Sequence, residues 1–337
     1  MSRGAAQCVL AAILALATGA CSERSDEHAT GCPTKTTSGA VHVSNGIGTL
    51  GGALTLPAGC GPFPVLLIIA GSGATDRDGN QLSAGVRPDT YLKVANALAP
   101  SGVATLRFDK AGVGESLGAA PKQADQRFED VVADAALWLD WLRADSRFDA
   151  VIVAGHSEGA LVGLLLARSK PVEAYVSLEG AGRPIDVILR EQLAQNTGLS
   201  ADVLTAANSI LDELLQGRAV ASVPAELAWL FAPALQPYIM SWMRYDPAAE
   251  FAKTTMPALV VQGTADTQVS LVDAELLSKA RPDARELIVE DMSHFLKPAT
   301  LDVDSQMRSW RDPSLPVRSE VIDAIRALVN EVAPGQP

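Results

Sequence analysis

Histidine and cysteine are scarce in this sequence, with four of each among 337 residues. Neither type occurs in a metal-binding arrangement such as H-E-x-x-H or paired C-x-x-C, so no metal site is predicted. Basic residues are also outnumbered, since 27 Lys and Arg stand against 39 Asp and Glu and give a formal charge of -12. Without a long basic run, this acidic balance argues against a nucleic-acid partner.

The apolar run near the amino terminus, residues 9–17, is too short to cross a bilayer, which takes about 20 residues. It follows Arg3 and fits the hydrophobic region of a signal peptide at residues 1–20. The run closes at T-G-A-C, residues 18–21, which resembles a bacterial lipoprotein box with Thr where Leu is usual. We therefore predict an exported protein that is tethered to a membrane through lipidated Cys21. The alternatives are ordinary signal cleavage, which gives a periplasmic or secreted protein, and an uncleaved anchor.

Two cysteines remain as thiols if Cys8 is removed with the signal peptide and Cys21 is acylated. In an oxidising compartment Cys32 and Cys60 can then form a disulfide, and the alternative is two unrelated thiols. Residues 21–40 are rich in Ser, Thr, Asp and Glu, and we expect them to form a flexible tether.

Short apolar runs alternate with helix-like stretches in the remainder of the chain. Apolar positions between residues 128 and 142 fall on one face of a helix, and a second helix is predicted near residues 318–332. This alternation predicts an α/β fold with a mostly parallel sheet and helices on both faces, formed by residues 41–182 and 254–337. The predicted buried strands are residues 65–70, 103–108, 151–154, 172–178, 257–262 and 286–289.

Residues 183–253 interrupt the alternation with helix-favouring sequence that is broken by prolines. No convincing strand occurs there, so this segment is predicted to be a helical lid or cap insertion. It concentrates large aromatic residues, and Trp229, Phe231 and Trp242 can form the roof of an apolar acyl pocket. The alternative is that these side chains attach the cap to the main domain.

A G-x-S-x-G motif, G-H-S-E-G at residues 155–159, follows one apolar strand and precedes a helix-like run. This strand-turn-helix context is the one that a nucleophile elbow requires, so Ser157 is the predicted nucleophile. The flanking glycines fit because the serine occupies a strained turn where side chains would collide with the neighbouring strand and helix.

The base that accepts the serine proton follows by elimination among the four histidines. His28 lies in the predicted tether, His42 in an early strand, and His156 beside Ser157, where chain geometry turns its ring away. His294 remains, in a loop just after a predicted strand.

The acid and the oxyanion donors follow from chain order. Asp266, just past the strand at residues 257–262, satisfies the order serine, acid, histidine. Asp273 is the next acid, but it begins a helix-like run, where the helix dipole explains it. For the oxyanion we predict the backbone amides of Glu158 and Ser72.

Three motifs together resemble bacterial α/β-hydrolase esterases related to dienelactone hydrolase. They are G-S-G-x-x-D-R-D-G at residues 71–79, D-x-x-G-x-G-x-S at 109–116, and G-H-S-E-G. The resemblance runs from about Val41 to the end and implies an eight-stranded sheet, a helical cap and hydrolysis of carboxylic esters without a cofactor. Ala111 departs from the Arg often found in the second motif, which affects a loop contact but none of the triad.

Two other glycine-containing segments do not predict cofactor sites. The G-x-G-x-x-G match at residues 46–51 precedes a strand where a dinucleotide site needs a helix. The D-R-D-G sequence at residues 76–79 lacks the further ligands of a calcium loop and is predicted to be a structured turn.

These residues predict a serine carboxylesterase that acts on a small-molecule ester through Ser157, His294 and Asp266. A serine peptidase or amidase is the first alternative, because the same triad cleaves amides. A lipoprotein that binds an apolar ligand and carries an inactive triad is the second.

Overall fold

One sheet of eight strands forms the centre of the computed structural model, which describes residues 32–334. The strands are β1 (Thr37–Ser44), β2 (Thr49–Leu56), β3 (Phe63–Ile69), β4 (Ala104–Phe108), β5 (Phe148–His156), β6 (Ala174–Leu178), β7 (Ala258–Gly263) and β8 (Arg285–Val289). They lie in the order β1-β2-β4-β3-β5-β6-β7-β8. β1 and β2 pair antiparallel, as do β2 and β4, and all later neighbours pair parallel.

Helices cover both faces of this sheet, as predicted. The helices are α1 (Thr90–Leu98), α2 (Phe128–Arg143), α3 (Glu158–Ser169), α4 (Ile185–Gln195), α5 (Ala201–Leu215), α6 (Ala228–Phe231), α7 (Gln236–Trp242), α8 (Pro247–Phe251), α9 (Leu271–Ala280), α10 (Val303–Arg311) and α11 (Ser319–Val332). Successive residues of β3 point to opposite faces, so Leu67 packs in one apolar cluster with α2 and α3, and Leu66 packs in the other with α1 and α11. Both faces of the central strands are therefore buried, which explains why their sequences are continuous apolar runs.

The first strand differs from the sequence prediction. β1 begins at Thr37, within the segment predicted to be a tether up to residue 40. Its residues are mostly exposed because β1 is an edge strand on the outside of the sheet, so the sequence shows no apolar run there. Its register with β2, from Thr37 opposite Leu56 to Ser44 opposite Thr49, defines it as a strand.

The predicted signal peptide and Cys21 lie outside the described residues. Cys32 and Cys60 are both disulfide-bonded. The amide of Gly59, next to Cys60, donates to the carbonyl of Pro33 at 2.8 Å. In the part of the chain that the structure covers, no helix is both long and apolar enough to cross a membrane.

The segment predicted as a cap, residues 183–253, contains α4 to α8 and connects β6 to β7. It has an apolar cluster of its own, to which α4, α5 and α7 contribute buried side chains. Trp242 belongs to this cluster and also packs against the main core, where its ring stacks on Phe128 with centroids 5.3 Å apart and planes 11° apart. Because this insertion joins two neighbouring parallel strands, it begins at the carboxyl edge of the sheet, where Ser157 also lies.

Candidate active site

Ser157 occupies a sharp turn between the end of β5 and the start of α3. Its backbone φ is +55°, a conformation that non-glycine residues rarely adopt and that costs on the order of 1–3 kcal/mol. The glycines on either side permit this turn. A Cβ atom on Gly155 would lie 2.0 Å from the Gly159 carbonyl oxygen, and one on Gly159 would lie 2.3 Å from that of Ile69. The elbow therefore holds the serine at the carboxyl edge of the sheet.

His294 and Asp266 are hydrogen-bonded in the loops that follow β8 and β7. His294 Nδ1 lies 2.7 Å from Asp266 Oδ2, and both side chains are buried. Asp266 Oδ1 accepts the amides of Gln268 and Val269. Burial raises the pKa of Asp266, but His294 and these donors oppose it and the net pKa is lowered. The carboxylate thus stays ionised and accepts a hydrogen bond from the Nδ1–H group, which leaves Nε2 of His294 as the basic nitrogen.

His156 connects the elbow to the loop that carries His294. Its Nε2 lies 2.7 Å from the His294 carbonyl oxygen, and the two rings are 4.7 Å apart between centroids. Its Nδ1 lies 2.8 Å from the Tyr91 hydroxyl, which accepts the Gly71 amide at 3.1 Å. Tyr91 consequently donates to Nδ1, and Nε2 donates to His294. Burial, followed by the nearby His294, lowers the pKa of His156 to about 3, so its ring is neutral.

The low pKa of His156 predicts acid sensitivity of the fold. An unfolded histidine takes up a proton near pH 6.5, whereas folded His156 does so only near pH 3. Between these values the unfolded state binds the extra proton, so stability falls by about 1.4 kcal/mol per pH unit as the pH decreases. We expect the Tm of His156→Gln to fall less than that of the wild type between pH 6.5 and pH 4 in thermal melts. Equal decreases in both proteins would contradict this assignment.

The loop after β3 approaches Ser157 and offers a free amide. A Cβ atom on Gly71 would lie 3.2 Å from Ser157 Cβ, so the loop passes directly beside the serine. The Ser72 carbonyl is fixed by Thr75 Oγ1 at 2.8 Å and by Gln81 Nε2 at 2.9 Å. Within residues 32–334, the amides of Ser72 and Glu158 donate to no protein acceptor. Both N–H groups are therefore available for an oxyanion.

Glu158 joins three parts of the site through its buried side chain, which the sequence did not reveal. Its Oε1 accepts from Lys110 Nζ at 2.9 Å and from the Tyr238 hydroxyl of α7 at 2.6 Å. Lys110 Nζ also donates to the Gly71 carbonyl at 3.1 Å. The lysine thus neutralises the carboxylate of the residue that follows Ser157 and holds the Gly71 loop, while Tyr238 links the cap to the elbow.

The first two resemblance motifs contact one another behind the site. Asp109 is buried and accepts from the Arg77 amide at 2.8 Å and from its guanidinium at 2.6 Å. Asp76 Oδ1 accepts the amides of Asp78 and Asn80, which makes residues 76–80 a structured turn. The loops after β3 and β4 are therefore held together by charge-assisted hydrogen bonds.

Asp273, the next acid after Asp266 in the sequence, makes no hydrogen bond to His294 in the described part of the chain. It accepts the amides of Gly182 and Arg183, pairs with the Arg183 guanidinium at 2.6 Å, and forms a capping box with Ser270 at the start of α9. Its role is to join the start of the cap insertion to α9.

The three aromatic residues predicted for an acyl pocket occupy different environments. Phe231 is fully buried in the apolar cluster of the cap, and Trp242 is stacked on Phe128. Trp229 is 67% exposed. These contacts favour the alternative in which Phe231 and Trp242 hold the cap together and attach it.

We predict that Trp242→Ala lowers the free energy of unfolding by about 2 kcal/mol, because it removes a partly buried aromatic side chain that joins two apolar clusters. Its kcat/KM should fall by the same factor for esters of every acyl length. Trp229→Ala is the matched control and should change stability by less than about 0.5 kcal/mol. A selective loss for medium-length esters, with an unchanged Tm, would instead assign Trp242 to the acyl pocket.

The sheet, the elbow and the Asp-His pair at its carboxyl edge are typical of one large class of enzymes. The chain belongs to the alpha/beta hydrolase family, whose model matches residues 66–300. It is 28% identical to esterase EstD of Thermotoga maritima over 253 residues, which are 73% of this chain and 58% of that relative. The chain therefore spans less than two thirds of the relative's length.

Solved esterase structures share the fold. Est1E from Butyrivibrio proteoclasticus, solved with ferulic acid bound, superposes with a TM-score of 0.61 at 18% identity, covering 88% of this chain and 100% of that one. The esterase domain from a Rhodothermus marinus protein gives a TM-score of 0.53 at 16% identity, covering 87% and 99%. The predicted α/β-hydrolase fold is thus confirmed, while the relation to dienelactone hydrolase stays a prediction.

Proposed function

We propose that this hydrolase is a serine carboxylesterase in which Ser157 is the nucleophile, His294 the general base and Asp266 the residue that orients His294. The observation that carries the proposal is the buried 2.7 Å contact between Asp266 and His294, at the sheet edge where the strained elbow presents Ser157. The similarity to esterase EstD supports ester hydrolysis as the reaction.

The proposed reaction proceeds in two acyl transfers. Ser157 Oγ attacks the ester carbonyl while His294 Nε2 takes its proton, and the amides of Ser72 and Glu158 stabilise the oxyanion. The proton then passes to the leaving alcohol, and the acyl group remains on Ser157. Water, deprotonated by His294, attacks this acyl enzyme and releases the carboxylic acid and the free serine.

The hydrogen bond that the first step requires forms on substrate binding. In the described part of the chain no hydrogen bond joins Ser157 Oγ to His294, and the two loops are joined through His156 instead. Catalytic hydrogen bonds often shorten only in the substrate complex. Ser157 and His294 are therefore expected to approach each other when an ester occupies the site.

The test is labelling with a fluorophosphonate followed by peptide mass spectrometry, together with hydrolysis of p-nitrophenyl esters of increasing acyl length and a panel of peptide amides. We expect the label on Ser157 and hydrolysis of esters in preference to amides. Ser72→Ala is the matched control and should keep activity, because its proposed contribution is a backbone amide. Faster cleavage of amides would favour a peptidase, and absence of labelling would favour a binding protein.

We also propose that the protein is exported and anchored through a lipidated Cys21, as the T-G-A-C sequence suggests. Expression in a bacterial host should give a mature chain that begins at Cys21 and carries lipid, which mass spectrometry of the amino-terminal peptide detects. An unmodified terminus would leave a periplasmic or secreted enzyme with the same proposed chemistry. The disulfide-bonded state of Cys32 and Cys60 supports an oxidising compartment.

A further inference from the structure

A second carboxyl group lies beside Asp266 in the interior of the protein. Glu179 follows the last residue of β6 and is fully buried. Its backbone has a φ of +50°, the left-handed conformation that a residue with a long side chain rarely adopts. The surrounding structure thus holds a strained glutamate at the carboxyl edge of the sheet, next to the proposed active site.

The hydrogen bonds of Glu179 fix it against β7. Its amide donates to the Val261 carbonyl at 2.9 Å, and its Oε2 accepts the Gly263 amide at 3.0 Å. The Asp266 carboxyl group lies close enough for its charge to act on that of Glu179. Gln262 lies beside both acids and donates to Asp266 Oδ2 at 3.3 Å. Glu179 therefore reaches Asp266 from the neighbouring strand, on a different element from the loop amides that hold Asp266.

A hydrogen bond between two carboxyl groups requires a proton on one of them. Asp266 is bonded to His294 and to two amides, all of which favour its ionised form. Glu179 has no Lys, Arg or His partner among residues 32–334, and its Oε1 accepts no hydrogen bond there. Burial first, and then the charge of Asp266, raise the pKa of Glu179 well above its usual range. The proton accordingly resides on Glu179.

We propose that Glu179 is a positioning residue, a buried neutral carboxylic acid that donates a hydrogen bond to the Asp266 carboxylate and thereby fixes the acceptor of His294. The role rests on the proposed function, since it acts through Asp266 and His294 and touches no reacting atom. With Glu179 in place, the Asp266 carboxylate is held by its own loop and by β6, so that it cannot rotate away from Nδ1. Among the described residues, the charged group that acts on Glu179 is Asp266, which is in turn hydrogen-bonded to His294.

Two substitutions separate this role from simple packing. Glu179→Gln is neutral and keeps both an amide donor for Asp266 and an oxygen for the Gly263 amide. We expect its kcat, its KM and the acid limb of its kcat/KM profile to stay within about twofold of the wild type, since the neutral acid and the amide donate alike. Glu179→Leu removes the donor and should lower kcat by about ten- to hundredfold with little change in KM.

The pH dependence of kcat/KM distinguishes a neutral Glu179 from an ionised one and from a residue that only packs. Loss of the donor leaves more negative charge on Asp266 to stabilise protonated His294, so the acid limb of Glu179→Leu should move to higher pH. A lower acid limb in Glu179→Gln, with loss of activity, would show that Glu179 is ionised in the wild type and overturn the proposal. So would a Glu179→Leu variant with a reduced Tm but unchanged kcat and pH profile, because that result describes packing alone.

Infrared difference spectroscopy detects the proton on the Glu179 carboxyl group directly. The wild type minus Glu179→Gln spectrum at neutral pH should contain the carbonyl stretch of a neutral carboxylic acid. Glu250→Gln is the matched control, because Glu250 is also buried but pairs with Arg168 and Lys253 and so should contribute only carboxylate bands. A carboxylate band lost from Glu179→Gln would refute the neutral acid. This measurement needs no turnover, so it stays decisive even if fluorophosphonate labelling refutes the esterase itself.

Discussion

Replacement of Ser157 by alanine will lower ester turnover by a factor on the order of 10⁶, to the residual rate supported by the oxyanion amides and substrate binding. The reason is that no other hydroxyl group occupies the elbow from which the proposed attack occurs. The melting temperature should stay close to that of the wild type. Alanine carries a Cβ atom as serine does, so the substitution does not relieve the backbone strain at a φ of +55°. The measurement is kcat/KM on a p-nitrophenyl ester beside a thermal melt.

The other two members of the proposed triad supply the controls for this result. His294→Ala should be as severe as Ser157→Ala, and Asp266→Asn should cost about 10⁴-fold, because triad members act as a unit. The double variant Ser157→Ala with His294→Ala should lose no more than either single variant. Retention of substantial turnover by Ser157→Ala would disprove its assignment as the nucleophile.

Replacement of Lys110 by methionine will destabilise the protein by about 3 kcal/mol and lower kcat. Lys110 is the cation paired with Glu158, and both side chains are largely buried. Its removal leaves a buried carboxylate whose remaining hydrogen-bond donor within residues 32–334 is the Tyr238 hydroxyl, and an uncompensated buried charge is costly. The same negative charge then lies beside the amide that is proposed to stabilise the oxyanion, which opposes the transition state. Urea denaturation and kcat/KM measure the two effects.

The matched variant carries Glu158→Gln together with Lys110→Met. It removes the charge as well as its partner, so most of the lost stability should return. Recovery of activity will be partial, because Lys110 also donates to the Gly71 carbonyl and so holds the loop that contains Ser72. If the single and double variants have equal stability, the ion pair does not contribute as described.

The strands and the proposed triad were accessible from the sequence because each has a local signal. The central strands are buried on both faces, so β3 and β5 appear as unbroken apolar runs. The elbow is a contiguous motif, and His294 follows by elimination in a chain with four histidines. Chain order then selects Asp266. The edge strand β1 has no such signal because most of its side chains face solvent.

The buried polar contacts had no local signal. Lys110 and Glu158 are 48 residues apart in the sequence, and Tyr238 and Glu158 are 80 apart. These contacts depend on how the segments after β4 and β5 pack against the cap. The periodicity of apolar residues along the sequence carries no information about that packing. The sequence does not single out Glu179 for a similar reason, because its proposed partner Asp266 lies in the loop after the next strand and the sequence of β6 is that of an ordinary strand.

The separate apolar cluster of residues 183–253 makes the cap a replaceable module. Its interior is mostly filled by its own side chains, and its polar and aromatic attachments include Tyr238 on Glu158 and Trp242 on Phe128. Substitutions inside that cluster can reshape the cap while Ser157, Asp266 and His294 keep the positions that the sheet gives them. Under the proposed function, a change in the accepted ester therefore requires no change in the chemistry. This architecture suits directed evolution in which a library is confined to the cap and attachment residues such as Tyr238 and Trp242 are left intact.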